Sequence, residues 1–426
     1  MNVFFSGIGG TAIGPLALIA HQAGYNVYGS DKQNSQYIEY LKKKGLGNIH
    51  IGQSSEDIAK IHEKSPIDWF VYSSAVSIED PSHPELSFVK EKSIKLSKRD
   101  EFLNKIIEDS NKKLIAIAGT HGKTTTTAMA IWLFKELGIP ISYSVGAKIP
   151  FGDMGYFDEK SEYFIYECDE FDRNFLAFKP FLSLISGIDY DHHEIFPTKE
   201  SYIDAFKQFI SQSSGAFMWQ DDFEKSGPVN DNIAVMSEDN ELMNSLNLAG
   251  WVNRKDGALV VSAAQKLTGE PSDKLIEIMN EFPGLSRRFE KITENLYSDY
   301  AHTIPKIKGC LQMAEEVSDK VVIVYEPLTD RRQHYIKDEY KNLFKGVKEL
   351  YWVPSYLARE DPKQKVITPQ EFIDAIEEPA DREAMELDDK LKNAIQKHLD
   401  AGDSVVCISG GGGGSLDEWL RTTFSR

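Results

Sequence analysis

The apolar and polar positions of this chain fall into a repeated unit: a short apolar strand, a turn of glycine or small polar residues, then a helix with one apolar face. Asn2–Ser6 is such a strand. Ile13–Ala23 carries a helical apolar face (Ile13, Leu16, Ala17, Ile19, Ala20) that stops at Gly24, and Tyr25–Gly29 is the next strand. Ile67–Tyr72 and Ile94–Leu96 extend the series, Lys98–Ile107 is a helix, and the charged tract Glu108–Lys113 is a linker. A second block opens with the strand Leu114–Ala118 and a helix over Thr125–Leu137, stopped by Gly138 and Pro140. Strands Tyr163–Tyr166 and Phe181–Ile188 and an amphipathic helix over Ser201–Ser213 follow. Asp221–Leu246 is polar and without period, which predicts irregular structure. Gly257–Gly269 is a helix running into a linker, and Phe282-Pro283-Gly284 marks a boundary. The third block holds the β-branched strands Val321–Tyr325 and Ser404–Ile408, then a capping box from Ser415 to Glu418 that opens a last helix. The pattern is α/β throughout.

Candidate chemistry sits where these strands end. Gly7-Ile8-Gly9-Gly10-Thr11-Ala12-Ile13-Gly14 follows the first strand, and Asp31 closes the second at about the spacing where an acid meets a ribose. Strand, glycine turn, helix, strand, acid is the order of a dinucleotide-type phosphate site. Ser73-Ser74-Ala75 ends the third strand, where ligands bind in open α/β sheets. In the second block Gly119-Thr120-His121-Gly122-Lys123-Thr124 runs from strand into helix, with Thr125 next. Backbone N–H groups of such a turn can surround a phosphate, Lys123 would reach the β/γ-phosphates, and the Thr124 hydroxyl would hold Mg²⁺. The long P-loop spacing would put Gly at position 117, where Ile stands, so this is the shorter variant. Glu167-Cys168-Asp169-Glu170-Phe171-Asp172 supplies carboxylates for that cation, directly or through water. His192, after Asp189-Tyr190-Asp191, is read as a further metal ligand; the adjoining His193 and Glu194 fit no zinc spacing. Arg287-Arg288 at the third boundary could neutralise a transferring γ-phosphate. Gly410–Gly414 allows a close backbone approach.

Composition narrows the class. At 426 residues the chain exceeds one core, so two or three domains are expected. A net charge of −18 argues against a general nucleic-acid binder. Three scattered cysteines give no disulfide framework, and neither a signal segment nor a long apolar run is seen, so a cytoplasmic protein without a membrane partner is expected. A nicotinamide-dependent oxidoreductase would leave the Lys123 turn unexplained. A P-loop switch without ligation would show hydrolysis indifferent to any second substrate.

Together, G-I-G-G with S-D, A-G-T-H-G-K-T-T-T-T-A-M, E-x-D-E-x-D, D-H, R-R-F-E and D-Y-x-H resemble the Mur ligases over nearly the whole chain. Within that family the likeness leans to the UDP-N-acetylmuramate–L-alanine ligases, with the tripeptide-recycling ligases as the alternative. The resemblance implies an N-terminal Rossmann-like UDP-sugar domain (1–108), a central P-loop ATPase-like domain (109–284) and a C-terminal Rossmann-like amino-acid domain (285–426). It implies ATP and Mg²⁺ as cofactors, and UDP-N-acetylmuramate and L-alanine as partners of a monomer or homodimer. By position, Lys123 would meet the γ-phosphate, and Thr124, Glu167 and His192 would hold Mg²⁺. Arg288 and Asp299 would approach ATP, Tyr300 and His302 would lie near the amino acid, and Gly7, Gly9 and Gly10 would cradle the diphosphate. The adenine motif G-x-H-N-x-x-N survives only as Asn253 in Gly250–Asp256. Where alanine ligases have Q-P-H-R-Y-S-R this chain has E-P-L-T-D-R-R at 326–332, so Arg331 or Arg332 would hold the amino-acid carboxylate. His302 would accept the amine proton or position the amine.

Overall fold

A computed structural model describes residues 1–73, 76, 80, 82–192, 195–239, 241–357, 360 and 364–424. The chain divides into two compact units, Met1–Leu246 with Asp256–Phe282, and Asn247–Lys255 with Pro283–Arg426. The first unit carries two sheets and the second one.

The N-terminal sheet contains β1 (Asn2–Ser6), β2 (Asn26–Asp31), β3 (Ile49–Ile51), β4 (Trp69–Tyr72) and β5 (Lys95–Lys98), all parallel in the order β3-β2-β1-β4-β5. The order reverses between β1 and β4, so the Gly7 turn and Ser73 flank one crevice at the carboxyl ends of those strands. Phe102, from the helix Arg99–Asp109, packs edge-on against Phe5, Tyr25 and Trp69 and fixes that helix on the sheet. The expected linker Glu108–Lys113 is therefore short: the helix runs to Asp109 and the next strand starts at Lys113.

The central sheet contains β6 (Lys113–Ala118), β7 (Ile141–Ser144), β8 (Gly155–Tyr156), β9 (Tyr163–Glu167), β10 (Leu182–Ile185), β11 (Ala216–Trp219) and β12 (Ile233–Met236), in the order β12-β11-β10-β6-β9-β7-β8. Only β7 and β8 pair antiparallel. Leu114–Ala118 is buried along its whole length, as a strand covered on both faces must be. The polar stretch expected to be irregular instead builds the sheet edge. It holds the helix Gln220–Ser226, β12 and the short helix Glu241–Asn244. As an edge strand β12 keeps only Met236 buried, so no apolar run announces it. β10 ends at Ile185, three residues before the predicted end, and the freed residues 186–189 wrap the Lys123 turn.

The C-terminal sheet contains β13 (Glu290–Thr293), β14 (Leu296–Asp299), β15 (Val321–Glu326), β16 (Glu349–Trp352), β17 (Arg382–Ala384) and β18 (Ser404–Ser409), in the order β13-β14-β18-β15-β16-β17. All pairs are parallel except β13–β14. One face packs on Trp352, which lies edge-on to Tyr325 and Tyr340 and stacks on Phe372. The last helix, Leu416–Phe424, is not opened by the predicted capping box. Ser415 is buried, and Glu326 from β15 accepts the Leu416 N–H at 2.9 Å in its place.

Candidate active site

The N-terminal turn is closed by its own backbone. Gly7 and Ile8 N–H donate to Ser30 O, Gly10 N–H to Gly7 O, and Gly9 N–H to Asp31 Oδ2 at 2.8 Å. A Cβ on Gly9 would lie 2.9 Å from that carboxylate, and one on Gly14 would lie 2.2 Å from the Tyr37 ring. The amides of Gly7, Gly9 and Gly10, expected to face a diphosphate, are thus committed within the chain. These glycines shape the turn, and the helix Ile13–Gln22 behind it begins without a side-chain cap. Asp31 organises the turn through its bond from Gly9 N–H. Ser73 follows β4, and Ser74 lies outside the described residues. Beneath the crevice Glu85 is buried and accepts from Ser6 Oγ at 2.6 Å; burial pushes its carboxyl up to about 7.

The central turn has the same outline and different chemistry. Gly119 (φ +150°) and Gly122 (φ +77°) adopt backbone conformations that side chains disfavour. A Cβ on Gly119 would stand 2.3 Å from Ser186 Oγ and 3.0 Å from Gly187 N. Thr120 is buried as a staple: its hydroxyl donates to Asp189 O and meets Tyr202 Oη, both at 2.7 Å. His121 lies 3.9 Å from Asp189, and its carbonyl accepts from Ser186. The helix starts at Lys123, two residues before the predicted start, so Lys123, Thr124 and Thr125 form its first turn. Gly122, in the left-handed region, takes the N-cap without a capping side chain.

Around Lys123 the acidic loop closes. Its ammonium donates to Gly119 O at 2.6 Å and to Glu170 Oε2 at 2.7 Å. Burial alone would depress its pKa, but Glu170 and Asp169 outweigh that and raise it. Glu170 is buried too, yet Lys123 and His192 hold it down to about 2. Asp169 moves the other way, raised by burial and by Glu170. Thr124 Oγ1 donates to Glu167 Oε1 at 2.7 Å, while Gly146 N–H fixes Oε2 at 2.7 Å. Two of the three expected metal ligands are thereby brought together. The third, His192, has its Nε2 3.4 Å from Glu170 Oε1 and a φ of +56°. Burial works against charge on His192, but Glu170 and Asp191 prevail and raise its pKa. Among the described residues no group of three His, Cys, Asp or Glu side chains forms a metal cage. The hard oxygen pair of Thr124 and Glu167 still suits Mg²⁺, which takes one or two protein ligands and completes its shell with phosphate and water.

Between the two turns lies a cleft of about 210 Å³. Thr11, Ala12 and Arg99 line it from the N-terminal sheet, and Lys123, Glu167 and Asp169 from the central one.

The second unit carries the remaining candidates. The paired arginines both lie over the Tyr300 ring, and Arg287 is also tied to the glycine-rich loop through Ser409 O (2.9 Å) and Gly411 O (2.6 Å). Asp299 is buried, and both its oxygens accept backbone N–H groups, from Phe289 at 2.8 Å and Ala301 at 2.7 Å. It shapes the Arg288 turn. His302 Nδ1 is 2.9 Å from Tyr300 O; burial first, then the charges of Lys306, Arg332 and Arg288, push its pKa down to about 3. Arg332 Nη1 donates to His302 O at 3.5 Å, and Arg331 N–H to Glu360 at 2.9 Å. Asn253 lies in the helix Trp251–Thr268, which begins six residues before the predicted start, and its amide donates to Ala249 O at 2.8 Å.

Two family profiles match this chain: "Mur ligase family, catalytic domain" over residues 2–111 and "Mur ligase middle domain" over 117–249. The UDP-N-acetylmuramate–L-alanine ligase of Caldicellulosiruptor bescii is 30% identical, with 84% of each chain covered. The chain belongs to the Mur ligase family. It is an ATP-dependent, amide-forming ligase of peptidoglycan synthesis. Among solved structures, UDP-N-acetylmuramate-alanine ligase MurC from Thermotoga maritima aligns with a TM-score of 0.75 at 22% identity, covering 97% of this chain and 96% of that one. A murein peptide ligase from Psychrobacter arcticus gives 0.64 at 20% identity over 99% and 98%. These likenesses carry the three-sheet α/β architecture.

In this Mur ligase the sequence motifs miss three residues that complete the site. Glu170 stands in the acidic run, but nothing there marks it as the partner of both Lys123 and His192. Tyr202 supports the turn from the helix Lys199–Gln212, with no motif around it. Arg99 is an ordinary helix-opening residue in sequence and reaches the cleft only through the docking of β5.

Proposed function

We propose that this Mur ligase joins L-alanine to the lactyl carboxylate of UDP-N-acetylmuramate in the cytoplasm, using ATP and Mg²⁺. The cleft carries the reading: the sugar-side turn (Thr11, Ala12) and the phosphate-side lysine (Lys123) line one space. A carboxylate is a poor electrophile, so it must be activated. A lactyl oxygen attacks the γ-phosphorus, the bond to the ADP oxygen breaks, and an acyl phosphate forms. The amine then adds to the acyl carbon, phosphate leaves, and one proton is lost from nitrogen. Lys123 offsets charge on the transferring group, and Glu170 keeps that lysine charged and aimed. Thr124 and Glu167 would hold Mg²⁺, which draws charge from the phosphate oxygens. His302 is neutral near pH 7 and too weak a base at a pKa of about 3 to take the amine proton, so its part is positioning. Gly119, Thr120, His121, Gly122 and Thr125 shape the nucleotide site; Arg288 and Arg332 supply positive charge on the second unit.

Phosphate release with ATP, Mg²⁺ and UDP-N-acetylmuramate, offering L-alanine, L-serine, glycine or the murein tripeptide singly, tests the reading. L-Alanine should give the highest rate. Release that ignores the acceptor or the sugar nucleotide would refute it, and release with the tripeptide alone would move the chain to the recycling reaction.

A further inference from the structure

Resting on that reading, we infer that Arg99 is the residue that recognises the lactyl carboxylate and holds it at the mouth of the Lys123 turn. A guanidinium has five N–H donors in a planar fork. Arg99 uses Nε for Asp100 Oδ2 at 3.0 Å and one Nη2 hydrogen for Asp169 Oδ2 at 3.3 Å. Five less two leaves three donors without a partner among the described residues, on a side chain 22% exposed in the cleft. Its position is fixed from below, because Asp100 is buried and also accepts a hydrogen bond from Tyr166 Oη at 2.5 Å.

The charges of the cleft make such a residue necessary. An acid entering between Glu167 and Asp169 meets two carboxylates. Lys123, the cation of the central wall, is already engaged by Glu170 and Gly119 O and faces the phosphate side. Among the residues that line the cleft, Arg99 is the cation on the sugar side, placed directly after β5 in the sheet that holds the Gly7 turn. A fork already braced on Asp100 and Asp169 loses little freedom on gripping a carboxylate, and planar bidentate recognition favours arginine over lysine. It orients one lactyl oxygen toward phosphorus and takes no part in proton transfer.

UDP-N-acetylglucosamine lacks the lactyl acid, so it separates recognition of that group from general support of the fold. Binding of both sugar nucleotides is measured by calorimetry without ATP, for the natural protein, Arg99→Ala and Arg99→Lys. The natural protein should prefer UDP-N-acetylmuramate. Arg99→Ala should lose about 10- to 100-fold in affinity for it while holding UDP-N-acetylglucosamine as before. Arg99→Lys, which keeps the charge over Asp169, should lose about 3- to 10-fold and serves if the alanine variant does not fold. An undiminished preference in the folded variants would overturn the inference and leave the ligase reading standing. Failure of the natural protein to bind either nucleotide would overturn both.

Discussion

Glu85 and Glu170 are both buried near the carboxyl end of a parallel strand, and they titrate in opposite directions. Glu85 meets hydroxyls, and burial raises it to about 7. Glu170 meets Lys123 and His192 and is held down to about 2. The two crevices share a strand–turn–helix outline and differ in charge. The N-terminal turn satisfies its own amides, whereas the central turn keeps a buried cation braced between Gly119 O and the Glu170 carboxylate. Fold gives each crevice its place, and the buried charge decides which one does chemistry.

The contrast breaks most sharply at the lysine. Lys123→Ala should lower the ligation rate by about 10³-fold while calorimetric binding of UDP-N-acetylmuramate is unchanged. Near-normal turnover would remove the distinction between the crevices. Glycine substitutions sharpen it next. Gly119→Ala forces a Cβ to 2.3 Å from Ser186 Oγ at φ +150° and should cost about 2–4 kcal/mol in urea denaturation. Gly7→Ala, at φ +77° with its nearest neighbour 3.8 Å away, should cost about 1 kcal/mol. Equal losses would mean the two turns are packed alike.

The smallest effects are those of pH. Because Glu170 is depressed in the folded protein, its stabilisation is present above the unfolded value of 4.5 and lost as pH falls toward about 2. Because Glu85 is raised, its stabilisation is present below 4.5 and lost as pH rises through about 7. Glu85→Gln should therefore gain about 1–2 kcal/mol over the natural protein at pH 8 and little at pH 4. Glu170→Gln should lose stability at pH 8, and the difference should shrink on acidification. The same sign for both would show that the two glutamates do not differ in partners.

Much of this was legible in the sequence. Glycine turns after buried strands locate the crevices, because a continuous apolar run and a following helix leave few other folds. The pairing of Thr124 with Glu167 was likewise readable from a hydroxyl after the lysine and an acid ending a strand. What escaped depends on distant contacts. β12 is an edge strand with little apolar signal. The contact of His192 with Glu170, on a left-handed residue 192, is one that no spacing reveals. Ser415 has the spacing of a cap, yet Glu326, 89 positions earlier in the chain, reaches the helix end first. Asp299 and Asn253 keep their motif positions while their side chains hold local backbone groups.

The central claim is that the lactyl carboxylate attacks the γ-phosphate. UDP-N-acetylmuramate carrying ¹⁸O in both lactyl carboxylate oxygens tests it directly during ligation of L-alanine. One labelled oxygen should appear in the released phosphate and the other in the new amide. Ligation that leaves the phosphate unlabelled would contradict the account.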